Sequence, residues 1–178
     1  MDPLSIIEKF YEPGTRLYRI LVEHSLFVTR KSMAIAENLA HLEPDLEFIE
    51  KAAMLHDIGI FLTRARSIGC EGKKPYVCHG YLGKKLLDDQ GLPLKYGFVC
   101  ERHTGVGITK ENVLLNNLPL PKRDMVPVSL EEKIICAADK YHSKSPEQAG
   151  RQISTAQIIQ ELGTISQDHA RRFSIWAE

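Results

Sequence analysis

Residues 44–59, PDLEFIEKAAMLHDIG, set the terms for reading the rest of the chain. Pro44 suits the first turn of a helix, where its missing N–H costs nothing. Leu46, Ile49 and Ala53 then recur at helical steps and form an inward stripe. His56 follows Ile49 by seven residues and Ala53 by three, so the periodicity turns its imidazole inward too. Asp57 stands beside it at the helix end, and Gly59 is expected to close the helix in the left-handed conformation. Two polar groups at the buried end of an apolar helix need partners, because burying them unpaired costs several kcal/mol.

Working outward, the same period recurs. Leu17, Ile20, Leu21, Phe27, Val28, Ile35 and Leu39 predict a helix over 17–39, with His24 seven residues after Leu17 and four after Ile20. Helices are predicted over Gly80–Gln90, stopped by Gly91, and over Leu94–His103, stopped near Gly105. Ser129 followed by Glu132 is a capping-box pattern that starts a helix running to about His142, and Ser145-Pro146 starts another short one. Two more are expected around Thr155–Leu162 and Ser166–Trp176, separated by Gly163. Pro119, Pro121 and Pro127 make Val106–Val128 a long surface loop, interrupted by a short helix near Lys110–Asn116. No alternating run is long enough to require a sheet, and no repeat or low-complexity tract occurs. The expected fold is all-α: a single domain over 1–178, with a core over about 17–146 and a helical C-terminal extension over about 147–178.

Composition narrows the function. With 43% hydrophobic and 26% charged residues over 178 positions, the chain has the makeup of a globular protein, not of a disordered or collagen-like one. Lys plus Arg (23) balance Asp plus Glu (23), so no overall field favours a nucleic-acid polymer or an anionic membrane. The opening MDPLSIIEKF lacks the features of a signal peptide, and no apolar run is of membrane-spanning length. Cys70, Cys78, Cys100 and Cys136 form no CxxC pair and read as reduced thiols, so a cytoplasmic address is expected.

Other imidazoles and carboxylates fall in the same phase. His79 opens a predicted helix, His103 follows Val99 by four, and Asp139 follows Ile135 by four. Any one such histidine is usually a hydrogen-bonded core residue. Together His24, His56, Asp57, His79, His103 and Asp139 come from five helices, mostly on buried faces, and a divalent cation resolves their burial cost. Imidazole and carboxylate without thiolate suit Fe, Mn, Zn, Co or Ni better than Mg or Ca. Four ligands fill one ion, whereas six match two ions bridged by a carboxylate.

His24, then His56-Asp57 within HDIG, then Asp139 resemble the H…HD…D signature of the HD-domain metallophosphohydrolase superfamily. The flanks LVEHSLFVTRKSMAIA, KAAMLHDIG and KIICAADKYHSKSP are similar to its core helices, and the likeness spans about Leu17 to Pro146. It implies a five-helix core around a metal site. His79 and His103 extend the resemblance to the dinuclear H…HD…H…H…D type. That type implies a first ion on His24, His56, Asp57 and Asp139, and a second on Asp57, His79 and His103. Dinuclear members include phosphodiesterases of cyclic nucleotides or dinucleotides and di-iron oxygenases of inositol or phosphonates. The GYP motif of the cyclic-dinucleotide enzymes is missing, since Ile60 and Phe61 follow Gly59. The acidic pair of the small 5′-deoxynucleotidases is missing as well, the nearest acid being Glu71.

The expected function is therefore metal-dependent hydrolysis of a small phosphate ester, a nucleotide-like monoester or diester, by a hydroxide activated between the ions at His56 and Asp57. Lys144, five residues past Asp139, is the first expected substrate contact, with Arg102 and Lys140 after it and Arg64 and Arg66 near the cleft. The alternatives are a di-iron oxygenase acting on a polyol or phosphonate and a non-catalytic metal- or nucleotide-binding sensor. The expected partner is a small phosphorylated molecule. His142 is read as a hydrogen-bond partner behind a ligand or as exposed, His41 and His169 as surface residues, and Phe173, Ile175 and Trp176 as tail packing.

Overall fold

The computed structural model describes residues 1–144 and 153–177 and places nine α-helices among them. The first, α1 (Pro3–Ile7), is absent from the sequence reading because it is one turn long; Asp2 caps it, and Ile7 and Tyr11 are buried. Helix α2 (Arg16–Asn38) is capped by Thr15 and buries Leu21, His24, Val28 and Ala36 on one face. Helix α3 (Leu46–Leu55) starts two residues later than predicted, because the Asp45 carboxylate accepts the Phe48 N–H and so takes the capping position.

Helices α4 (His79–Asp89) and α5 (Leu94–Arg102) lie side by side where they were expected. Their approach is close: a Cβ on Gly80 would stand 2.4 Å from the Cys100 carbonyl oxygen. A capping box of Thr109 and Asn112 starts α6 (Lys110–Leu115). Ser129 caps α7 (Leu130–Lys140), but Glu132 does not return to the cap as a capping box requires. It accepts the Val128 N–H and pairs with Arg102, and the helix stops short of His142. Helices α8 (Thr155–Ile165) and α9 (Gln167–Ala177) pack together, with Gly163 inside α8 instead of between the two. The helix start expected at Ser145-Pro146 lies outside the described residues.

One apolar cluster, including Leu21, Val28, Ile49, Leu55, Ile58, Leu87, Val99 and Ile135, fills the space among α1 to α5 and α7. A second, Val106, Ala137, Ile158, Leu162, Ala170 and Phe173, joins the α8–α9 pair to α7. Phe173 is fully buried there while Ile175 is 61% exposed, so only part of the tail stripe packs.

Four further expectations are corrected. A three-stranded sheet exists, with β1 (Thr63–Ala65) between β2 (Cys70–Glu71), antiparallel to it, and β3 (Lys74–Pro75), parallel to it. Strands of two or three residues are too short for alternation to reveal. The 106–128 segment is not merely a surface loop: Ile108 and Met125 exchange backbone hydrogen bonds of 2.9 and 2.8 Å, and with Val113 they form a small buried cluster. His169 is buried in the α9 interface rather than exposed. Gly59 has an ordinary φ of −86°, so its glycine is required by space instead of by handedness. A Cβ there would stand 2.3 Å from the His79 carbonyl oxygen and 2.5 Å from the Gly83 nitrogen.

Candidate metal centre

That close approach brings the first turn of α4 onto the turn that follows α3. His56 is the last helical-phase residue of α3, Asp57 follows it, His79 opens α4 and His103 ends α5. His24 comes from the middle of α2 and Asp139 from the end of α7. All six side chains are buried.

The six form two groups that share Asp57. Its Oδ2 lies 3.4 Å from His24 Nε2 and 3.2 Å from His56 Nε2. Asp139 Oδ1 completes this group at 2.9 Å from His24 Nε2 and 3.4 Å from His56 Nε2. Asp57 Oδ1 faces the other way, 3.4 Å from His79 Nε2 and 3.3 Å from His103 Nε2. One carboxylate thus offers an oxygen to each group.

Three of the rings are fixed by the same device. Nδ1 of His56, His79 and His103 lies 2.6–2.7 Å from the carbonyl oxygen three residues earlier, that of Ala53, Tyr76 and Cys100 respectively. A carbonyl can only accept, so each Nδ1 carries a hydrogen, and in a neutral ring Nε2 then turns its lone pair to the centre. Nε2 of His79 and of His103 are 3.0 Å apart, leaving two lone pairs face to face. Nε2 of His56 and Oδ1 of Asp57 have no hydrogen-bond partner among the described residues. A donor set of this kind is satisfied by cations, and each of the two groups could hold a divalent metal ion.

The electrostatics agree. Burial pushes His79 down to about 3 and His24 down to about 4, and it also lowers His103, so all three are neutral donors near pH 7. At His56 burial also opposes charge, but Asp57 and Asp139 overcome it and hold the ring up at about 9. Burial works against the charge of both aspartates, yet their cationic neighbours keep them well below the usual carboxylate range.

Two lysines adjoin the first group. Lys144 Nζ is 2.7 Å from Asp57 Oδ2 and 3.7 Å from Asp139 Oδ1, and Lys140 Nζ is 2.6 Å from Asp139 Oδ2. Asp139, Lys140 and Lys144 line a cavity of about 430 Å³ together with Tyr76, Ile68 and His142. Arg102 is not brought into it: its guanidinium pairs with Glu132 at 2.9 Å and lies over the Phe98 ring. Arg64 and Arg66 are exposed on and beside β1, while the neighbouring Ala65 and Ser67 face the cavity. His142 is half-buried and stacked on Phe27, and His41 is exposed. Tyr76 went unnoticed in the sequence. It packs its ring on His79, supplies the carbonyl that orients it, and lines the cavity. An aromatic residue three positions before a helix-opening histidine was the available signal.

A sequence profile of the HD domain family matches residues 21–144, a stretch that holds all six clustered residues and Lys144. The chain belongs to the HD domain family. An uncharacterized protein of Methanocaldococcus jannaschii is 38% identical over 67% of the chain and 64% of its own length. The tRNA (cytidine(56)-2′-O)-methyltransferases of Picrophilus torridus and Thermoplasma volcanium are 31% and 28% identical over 70% and 78% of the chain. The chain spans only 32% and 36% of those two enzymes, about a third of their length. Among solved structures, the HD domain of the L. monocytogenes phosphodiesterase PgpH shares the fold, with a TM-score of 0.57 at 13% identity over 98% of this chain and 94% of that one. The same domain in complex with cyclic-di-AMP gives 0.56 at 14%, over 98% and 92%. No helix among the described residues is long and apolar enough to cross a membrane.

Proposed function

We propose that the chain is a metal-dependent phosphohydrolase acting on a small, nucleotide-like phosphate ester. The supporting observation is the divided carboxylate of Asp57, which faces two sets of imidazole lone pairs beside a cavity carrying two ammonium groups. His24, His56, Asp57 and Asp139 would hold one ion, and Asp57, His79 and His103 the other. When bound, such a pair supplies an activated water and neutralises phosphate oxygens.

The chain's own residues do the rest. The backbone carbonyls of Ala53, Tyr76 and Cys100 hold three imidazoles with Nε2 toward the centre, so no ring needs to turn when the site is used. Lys144 and Lys140 place positive charge on the cavity side of Asp139, where an anionic substrate would enter. Tyr76 and Ile68 give that cavity an apolar wall, and its volume suits a ligand of nucleotide size. The HD domain of PgpH was solved with cyclic-di-AMP, which supports a nucleotide-like ligand and puts cyclic dinucleotides in the substrate panel.

The test is to purify the chain without added metal, count metals per chain, and screen phosphomonoesters, cyclic nucleotides and cyclic dinucleotides. Turnover should require Fe, Mn, Zn, Co or Ni and vanish in Asp57→Asn and His56→Ala while helical content persists. An Asp57→Asn protein of wild-type activity would refute the assignment. Dioxygen consumption by the iron-loaded chain without phosphate release would replace hydrolysis with oxygenation.

A further inference from the structure

The two ligand groups are alike in donors but not in their surroundings. Lys144 approaches Asp57 at Oδ2, the oxygen turned to His24 and His56, and reaches Asp139 Oδ1 as well. Its ammonium therefore lies against both carboxylate oxygens of the first group. Among the described residues no other ammonium or guanidinium pairs with Asp57, so the Oδ1 side, with His79 and His103, has no such competitor.

We propose that Lys144 is a displaceable counter-cation for the first group: it neutralises Asp57 and Asp139 until a divalent ion takes their oxygens, and then withdraws into the adjoining cavity. The inference rests on the ligand assignment above but not on hydrolysis. Charge arithmetic drives the exchange. Asp57 and Asp139 carry two negative charges, Lys144 and Lys140 balance them at 2.7 and 2.6 Å, and protonated His56 adds a positive charge until its Nε2 proton leaves. Adding divalent charge at the same oxygens makes a cluster with no spare negative charge strongly positive, and Coulomb repulsion at a few ångströms in a buried site is large. Among the described residues Lys144 is the cationic group better placed to leave. It stands beyond the end of α7, outside helical structure, and already lines the cavity. Lys140 belongs to the last turn of α7 and is less free to retreat. Displacement would carry a positive charge from the ligand cluster to the cavity, so metal loading would prime the pocket for an anion.

Loading should then be ordered. The group with Asp57 Oδ1, His79 and His103 fills first, and the Lys144-covered group fills later with lower affinity. The experiment is a Co(II) titration of the metal-free chain, followed by ligand-field absorption and calorimetry. Wild type should show two separated events. Lys144→Met, which keeps length and removes charge, should tighten the weaker event by about 10- to 100-fold, the range over which groups contacting metal ligands shift affinity. Lys144→Arg should keep the separation, and far-UV circular dichroism checks that each variant folds. In a His24→Ala background, which damages the first group only, Lys144→Met should shift the remaining event less than about twofold. Equal or weaker Co(II) binding by folded Lys144→Met, or the full shift persisting with His24→Ala, would overturn the displacement. Absence of Co(II) binding in every protein would overturn the ligand assignment, and with it the proposed function.

Discussion

Replacing Gly59 by alanine is the sharpest test of how the fold makes the centre. The added methyl would stand 2.3 Å from the His79 carbonyl oxygen, 2.5 Å from the Gly83 nitrogen and 2.9 Å from the Gly83 Cα. Non-bonded heavy atoms settle near 3.5 Å, so the first turn of α4 must retreat by about 1 Å. Backbone φ at Gly59 is −86°, which alanine adopts freely, so the cost is steric only. Overpacking costs about 1–3 kcal/mol, and here the obstruction is helix backbone that cannot rotate aside, which places the change near 3 kcal/mol. For a chain of this size that corresponds to a melting point lower by roughly 6–12 °C. His79 moves with its helix, away from an Asp57 Oδ1 now 3.4 Å distant. The metal-free variant should melt early by circular dichroism, and after loading it should lose the ion held by His79 and His103 first. Gly83→Ala is the contrast: its nearest neighbours, the Cys100 Cβ and the Gly59 nitrogen, are both at 3.3 Å, and its cost should stay below about 1 kcal/mol. A Gly59→Ala chain that melts within 2 °C of wild type and binds two ions would refute the close-approach argument.

Chelation should lower the melting point, since free metal at a hundred times its dissociation constant stabilises the folded chain by about 2.7 kcal/mol; an unchanged melt would mean that metal does not bind the native state. Metal affinity at the first group should rise with pH. His56 is held up at about 9, so near pH 7 its proton must leave before Nε2 can donate, and affinity should climb by up to about tenfold per pH unit and level off above pH 9. Calorimetry in buffers of different ionisation enthalpy would count that proton, and a pH-independent affinity would contradict it. Arg102→Ala should destabilise the fold by about 2 kcal/mol through the stranded Glu132 carboxylate and leave the Michaelis constant unchanged; a raised constant would return Arg102 to the substrate site.

Much of this arrangement was legible from helical phase. His24, His56, His103 and Asp139 each share a stripe with buried apolar residues, and a stripe that packs inward carries its polar members with it. The two-group partition came instead from family resemblance, because periodicity orients side chains but does not pair helices. Pairing depends on contacts such as Gly59 against His79 and Gly80 against Cys100, where a small residue acquires meaning only beside a partner distant in sequence. The lysines show the same limit. Position beside the motif residues suggested Lys144 first, then Lys140 beside Asp139 and Arg102 beside His103, yet Arg102 found a carboxylate on another helix, and Lys144 reached Asp57, 87 residues away in sequence. The 63–75 sheet and the 106–128 cluster were missed for a related reason: one is too short for a period, and prolines mask the other.

The centre also shows why a fold would keep an arrangement that costs it stability. Nδ1 of His56, His79 and His103 is committed to a carbonyl, and the Nε2 lone pairs of His79 and His103 face each other 3.0 Å apart. Two buried carboxylates stand within reach of the same imidazoles. The facing lone pairs oppose folding and the carboxylates are costly to bury, so the apolar packing of α2, α3, α5 and α7 must help hold the groups together. The gain is preorganisation: a cation that arrives need not turn a ring or move a helix, so its binding energy is not consumed in assembling its own site. The apolar stripes and the polar cluster are thus one design, in which core packing stabilises a constellation that would otherwise push itself apart.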